Sequence, residues 1–282
     1  VAMSQGGQVQ WTHLSSTFGD IPTPPGGLDQ TVALVGDLNN DGQNDFIIGS
    51  RGVSNSVVGY LGSGATWSLI TIEAGSLAPE AGGALFDIDS DGELDIVRGQ
   101  DYSGPNVWWW ENPFPNIDPS VPWTRRLIKD SYGKKHHDQA FGDIDGDGTA
   151  EFATWITSES RVRIYEIPAT PLGTSPWPDF VDVSIAAANP EGMDVKDIDR
   201  DGKVDLIVGG FWLRHEGGDN YTPMAIDPGY TSARTLAGDF IPGGYLEVFQ
   251  NSGDADGPFN FYTFDGTDWN STTLIPLVQH GH

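Results

Sequence analysis

The chain has no cysteine, which excludes disulfides, thiolate metal centres and cysteine nucleophiles. Basic residues are scarce. In 282 residues, 14 Lys and Arg stand against 40 Asp and Glu, a formal net charge of -26. Such a chain repels phosphate backbones and anionic headgroups, so nucleic acid is excluded as a partner. No run of 18 apolar residues occurs, and membrane insertion is not expected. Helix-period patterning is essentially missing. So are the Gly-x-Ser-x-Gly elbow, the phosphate loop, the dinucleotide turn and the zinc-protease helix.

What the chain does have is a nine-residue acidic pattern, present four times. The copies run Asp37 to Asp45, Asp87 to Asp95, Asp143 to Glu151 and Asp197 to Asp205, at spacings of 50, 56 and 54 residues. Oxygen side chains stand at positions 1, 3, 5 and 9: Asp37, Asn39, Asp41, Asp45; Asp87, Asp89, Asp91, Asp95; Asp143, Asp145, Asp147, Glu151; Asp197, Asp199, Asp201, Asp205. Position 6 is always glycine. An oxygen-only donor set on a tight turn suits a hard cation, so about four structural Ca²⁺ ions are expected as cofactors. A fifth copy, Asp239 to Glu247, keeps the first and ninth acids and loses the third and fifth. It is expected to fold without metal.

Short β-branched runs flank every loop, such as Val32 to Val35 before and Phe46 to Gly49 after the first. Strands on both sides exclude the helix–loop–helix calcium hand. Further strands follow, at Val57 to Tyr60, Val107 to Trp110, Val162 to Tyr165 and Phe259 to Tyr262. Then come strands opening on Trp67, Trp123, Trp177 and Trp269. Four strands per unit of roughly 40–55 residues predict an all-β chain, a β-propeller of four-stranded blades. Five repeat units are visible, forming the whole ring or part of a six- or seven-bladed one. Within the single domain 1–282, an N-terminal strand is placed at 9–16 and blades at 28–75, 80–130, 136–186, 191–229 and 232–278. The N-terminal strand has no partner in this scheme. It is an extra edge strand on a closed five-blade ring, belongs to a further blade, or pairs with a neighbouring molecule, a route to self-association by strand addition.

The glycine-Asp-x-Asp-x-Asp-Gly-x-x-Asp-apolar signature resembles the FG-GAP/VCBS repeats over nearly the whole chain. These are similar to the calcium-bearing blades of integrin α-chain propellers and, more distantly, to propeller lectins and propeller polysaccharide lyases. The resemblance implies fold and metal. It leaves function open between adhesion, sugar binding and lyase chemistry.

Equivalent inner-strand positions of a propeller converge on its channel. The residue six before each loop is Thr31, Ala81, His137, Glu191 or Ala233. His137, Asp138 and Glu191, with His282 of the terminal Gln279 to His282 segment, are the candidate catalytic or transition-metal cluster for β-elimination on a uronate. The alternative is a solvated strand entry with His136 and His137 bonded to a loop. The recurring tryptophans fit packing between blades. Trp108, Trp109 and Trp110 alternate in direction, which predicts one partly exposed face and a sugar-stacking platform. The functional expectation is an extracellular or cell-surface binding module for carbohydrate or another surface ligand. A polysaccharide lyase or dehydratase and a self-assembling structural protein are the alternatives.

Overall fold

The computed structural model describes residues 12–25, 29–186, 191–230 and 232–279. The chain forms five four-stranded antiparallel sheets, each built from consecutive strands. Blade 1 holds β1 (Gln30–Gly36), β2 (Asp45–Ser50), β3 (Val57–Ser63) and β4 (Thr66–Glu73). Blade 2 holds β5 (Ala84–Phe86), β6 (Asp95–Gly99), β7 (Val107–Glu111) and β8 (Thr124–Lys129). Blade 3 holds β9 (His136–Gly142), β10 (Glu151–Ile156), β11 (Arg161–Glu166) and β12 (Phe180–Ser184). Blade 4 holds β13 (Met193–Lys196), β14 (Asp205–Val208), β15 (Phe211–Gly217) and β16 (Asn220–Ala225). Blade 5 holds β17 (Ala233–Gly238), β18 (Glu247–Ser252), β19 (Gly257–Phe264) and β20 (Trp269–Val278).

The first strands of successive blades contact one another in order, β1 to β5, β5 to β9, β9 to β13 and β13 to β17. They therefore line the inside. Among the described residues, buried apolar clusters fill the seams between blades 1 and 2, 2 and 3, 3 and 4, and 4 and 5. A blade has two faces and a neighbour on each, so alternation in these strands buries both sets of side chains. The outward faces of blades 1 and 5 differ, with Val35 62 % and Leu236 54 % exposed.

The Trp108–Trp110 run shows this two-sided burial and corrects the expectation of an open face. Trp108 and Trp110 turn into the cluster shared with blade 1, and Trp109 turns into the one shared with blade 3. The three are 4 %, 0 % and 0 % exposed. Alternation does send the rings to opposite faces, but a neighbouring blade covers each face. The register tryptophans act as expected between blades. Trp123 donates its amide to Ile72 O at 3.0 Å and Trp177 donates to Ile128 O at 2.9 Å. Both stand just before their strands rather than opening them.

Two further expectations change. Residues 12–16 of the proposed N-terminal strand are irregular chain entering a turn, closed by Asp20 N donating to Ser15 O. Without a partner ladder, extended chain has no hydrogen-bonding reason to stay a strand. Residues 9–11 of that strand lie outside the described residues. Blade 4's third strand, left unassigned by the sequence pattern, is β15, which follows β14 after the Gly209-Gly210 turn.

Candidate functional site

Each acidic loop joins the first two strands of its blade, and its backbone geometry explains its sequence. Positions 4 and 6 both take positive φ. Asn40, Ser90, Gly146 and Arg200 lie between 53° and 79°, and Gly42, Gly92, Gly148 and Gly202 between 84° and 95°. The doubled left-handed turn folds positions 1, 3 and 5 together. Amides stiffen the first acid, as where Asp41 N and Gly42 N donate to the two oxygens of Asp37 at 3.1 and 2.8 Å. The apolar second residue is a plug: Leu38, Ile88, Ile144 and Ile198 are at most 3 % exposed and pack into the seam with the next blade.

Carboxylate oxygens of Asp87, Asp89 and Asp91, of Asp143, Asp145 and Glu151, and of Asp197, Asp199 and Asp205 converge within 4.8 Å in each set. These acidic clusters can hold metal ions, and their oxygen-only donors match a hard divalent cation. Burial is the main cause that pushes the ninth acids up, Asp95 and Glu151 to about 7 and Asp205 to about 6, with neighbouring acids adding to it. A bound cation would relieve that repulsion. In the fourth loop, Arg214 and Lys203 already pair with Asp199 and Asp201 at 2.7 and 2.6 Å.

The ninth acid has a second duty. Asp95 accepts the amides of Ile88 and Asn112 at 3.0 and 2.8 Å, which ties the loop to the third strand. Asp45 and Asp205 repeat this arrangement. The fifth loop isolates the structural role. Pro242 cannot take positive φ at position 4, so the turn shifts to Gly243 and Gly244, at 89° and 78°. Ligands are lost at positions 3 and 5, yet Glu247 still accepts Phe240 N and Ile241 N at 2.8 and 3.0 Å. Glu247→Ala should therefore cost about 1 kcal/mol by leaving two half-buried amides without their shared acceptor. Thermal melts with and without chelator should show the same loss; a chelator-dependent loss would mean that this loop also holds metal.

At the opposite end of the inner strands lies a cavity of about 470 Å³, lined from all five blades. Blade 1 supplies Thr31 and Arg51, blade 2 Glu80, Asp101 and Tyr102, blade 3 Lys135 and His137, blade 4 Glu191, and blade 5 Arg234 and Asp254. Six residues of extended strand separate His137 from Asp143, so the acidic loops and the cavity stand about 20 Å apart.

The sequence-predicted His137, Asp138 and Glu191 do come together. His137 Nδ1 is 2.6 Å from Asp138 Oδ2, and its Nε2 is 3.3 Å from Glu191 Oε2. Both ring nitrogens thus face carboxylates, and among the described residues no third metal ligand joins the imidazole. Glu191, 1 % exposed, also meets Lys135 Nζ at 2.8 Å and Arg234 at 3.3 Å. Burial pushes the Asp138 carboxyl up, but the His137 hydrogen bond and charge, with Arg234, hold it below its usual range. His136 is buried and held neutral, its pKa lowered to about 3 by burial and the Lys129 charge. His282 lies outside the described residues.

Sequence reasoning missed the blade 2 half of the cavity. Buried Glu80 pairs with Arg51, whose Nε also lies 3.1 Å from Asp101 Oδ2. Burial, and then a hydrogen bond shared with Asp101, pushes the Glu80 carboxyl up to about 7 against the Ala81 amide and Arg51. Glu80 stands seven residues before its loop and Arg234 five before its own, one place either side of the register used to find His137 and Glu191.

The five sheets and their inter-strand loops define an all-β propeller. The FG-GAP-like repeat model matches residues 37–97 and 143–208. No curated protein of similar sequence was found. Among solved structures, an Agrocybe aegerita lectin that recognises non-reducing terminal N-acetylglucosamine is similar at a TM-score of 0.57 and 15 % identity, over 88 % of this chain and 66 % of that one. Rhamnogalacturonan lyase YesW is similar at 0.51 and 17 %, over 90 % and 56 %. The V. cholerae biofilm matrix protein Bap1 is similar at 0.50 and 16 %, over 97 % and 41 %. This chain therefore spans less than two thirds of each of them. At identities this low the likeness shows the fold alone. Among the described residues, no helix is long and apolar enough to cross a membrane.

Proposed function

We propose that this protein is an extracellular or cell-surface binding module whose ligand is a glycan, held at the channel mouth of a calcium-stabilised propeller. One observation carries the reading: all five blades send polar side chains to a single cavity. Convergent polar groups with one accessible aromatic ring are what sugar recognition needs, and Tyr102, 53 % exposed, supplies the ring. The lectin, the polysaccharide lyase and the biofilm matrix protein that share the fold are consistent with a carbohydrate or matrix ligand.

Ca²⁺ fits the acidic loops by donor type, and its part is structural, because the loops stand at the far end of the blades from the cavity. A lyase would need a base with a free lone pair. His137 has a carboxylate on each ring nitrogen, and Glu191 is shared among His137, Lys135 and Arg234. The geometry therefore favours binding over elimination. Glycan-array binding tests the reading. Tyr102→Ala should weaken the bound glycan about tenfold, the loss expected for an aromatic contact, with the melting temperature unchanged. Array binding unaffected by Tyr102→Ala, or new ultraviolet absorbance from an unsaturated product, would overturn it.

A further inference from the structure

Resting on the channel-mouth reading, we infer that the cavity selects neutral, hydroxyl-rich sugar units and discriminates against uronates. The argument is one of committed charge. A uronate carboxylate binds where a guanidinium or ammonium can turn to it without abandoning another anion. Here the cavity's cations are engaged within it. Arg51 is paired with Glu80 and lies 3.1 Å from Asp101, and Lys135 is 2.8 Å from Glu191. Arg234 meets the same Glu191 at 3.3 Å.

Glu191 is 1 % exposed, a buried anion that holds Lys135 and Arg234, while Arg51 sits on the hydrogen-bonded Glu80–Asp101 pair, whose charge is carried chiefly by Asp101. Pulling Lys135 toward a ligand carboxylate would strand the buried Glu191 carboxylate, a cost that its own gain does not recover. Among the remaining lining groups, Gln30, Thr31 and the Tyr102 ring offer hydrogen bonds and stacking to a neutral hydroxylated ligand, and Asp254 adds a further acid. The whole chain acts in the same direction. A net charge of -26 stays strongly negative even with four divalent cations bound, and it repels a polyuronate before contact.

Matched methyl glycosides that differ only at C6, hydroxymethyl against carboxylate, test this by NMR titration of the calcium-loaded full chain. The wild type should prefer the neutral member of each pair by at least about tenfold, the size of one lost charge-assisted contact. Glu191→Gln removes the anion that Lys135 and Arg234 share, and Asp101→Asn removes one beside Arg51. Both should shift the preference toward the uronate by about the same factor. Asp101 lies nearer the surface, so its variant stands in if Glu191→Gln does not fold, as judged by melting temperature. A wild-type preference for uronates, or a ratio unmoved in both folded variants, would overturn the inference while leaving the channel-mouth glycan site standing. Binding of neither member of any pair would remove both readings.

Discussion

Stripping divalent cations should lower the melting temperature of this protein by at least about 10 °C. Fifteen of the sixteen side chains at positions 1, 3, 5 and 9 of the four complete loops are carboxylates, and in three loops three of the four converge within 4.8 Å. A cation present at one hundred times its dissociation constant contributes about 2.7 kcal/mol per site. In a chain of this length, about 1 kcal/mol moves the melting temperature by roughly 2–4 °C. Calorimetry in chelator and in millimolar Ca²⁺ measures the difference.

pH gives a second arm with a definite sign. Burial raises Asp95 and Glu151 to about 7 and Asp205 to about 6, from ordinary values of 3.8 and 4.5. Between about pH 4 and 7 the folded, metal-free protein therefore binds protons that the unfolded chain has already released. The stability that these protonated acids contribute is present at the acid end and is lost as pH rises through 6 to 7. A cation binds only the ionised loops, so the stabilisation it adds must grow over the same range. Melting curves that coincide with and without chelator at every pH would rule out the metal reading.

The second large effect is expected at Trp109. Trp109→Ala should cost about 3–5 kcal/mol, because the fully buried indole fills the seam between blades 2 and 3 with Phe152, Tyr165 and Trp177. The Arg126 guanidinium, 5.6 Å from the ring centroid, loses its aromatic partner as well. Denaturant unfolding should show a lower midpoint, and glycan affinity per folded molecule should not change. Intact stability with lost binding would restore the sugar platform that the sequence pattern alone suggested.

The contrast between these residues shows which features a linear reading can reach. The loops were legible because the oxygen donors and the left-handed turn lie within nine residues: positions 1, 3, 5 and 9 supply oxygen and position 6 supplies positive φ. The blades were legible because strand alternation and a repeat of some 50 residues are also local properties. Even His137 and Glu191 were reachable, because register projects through a repeat. The Trp108–Trp110 run was misread because alternation gives direction, and only the neighbouring blades decide exposure. Arg51, Glu80 and Asp101 were missed because their partnership joins blades 1 and 2 through residues outside any repeated motif.

By itself, the sequence determined the fold class, the acidic loops and the exclusion of thiol chemistry, since each depends on composition or short-range spacing. The tertiary structure alone decided that the loops and the channel-mouth cavity occupy opposite ends of the blades. It also decided that the cavity's cations are already paired. Both follow from how five sheets pack around one axis, where side chains distant in sequence are brought close enough for burial and charge to act between them.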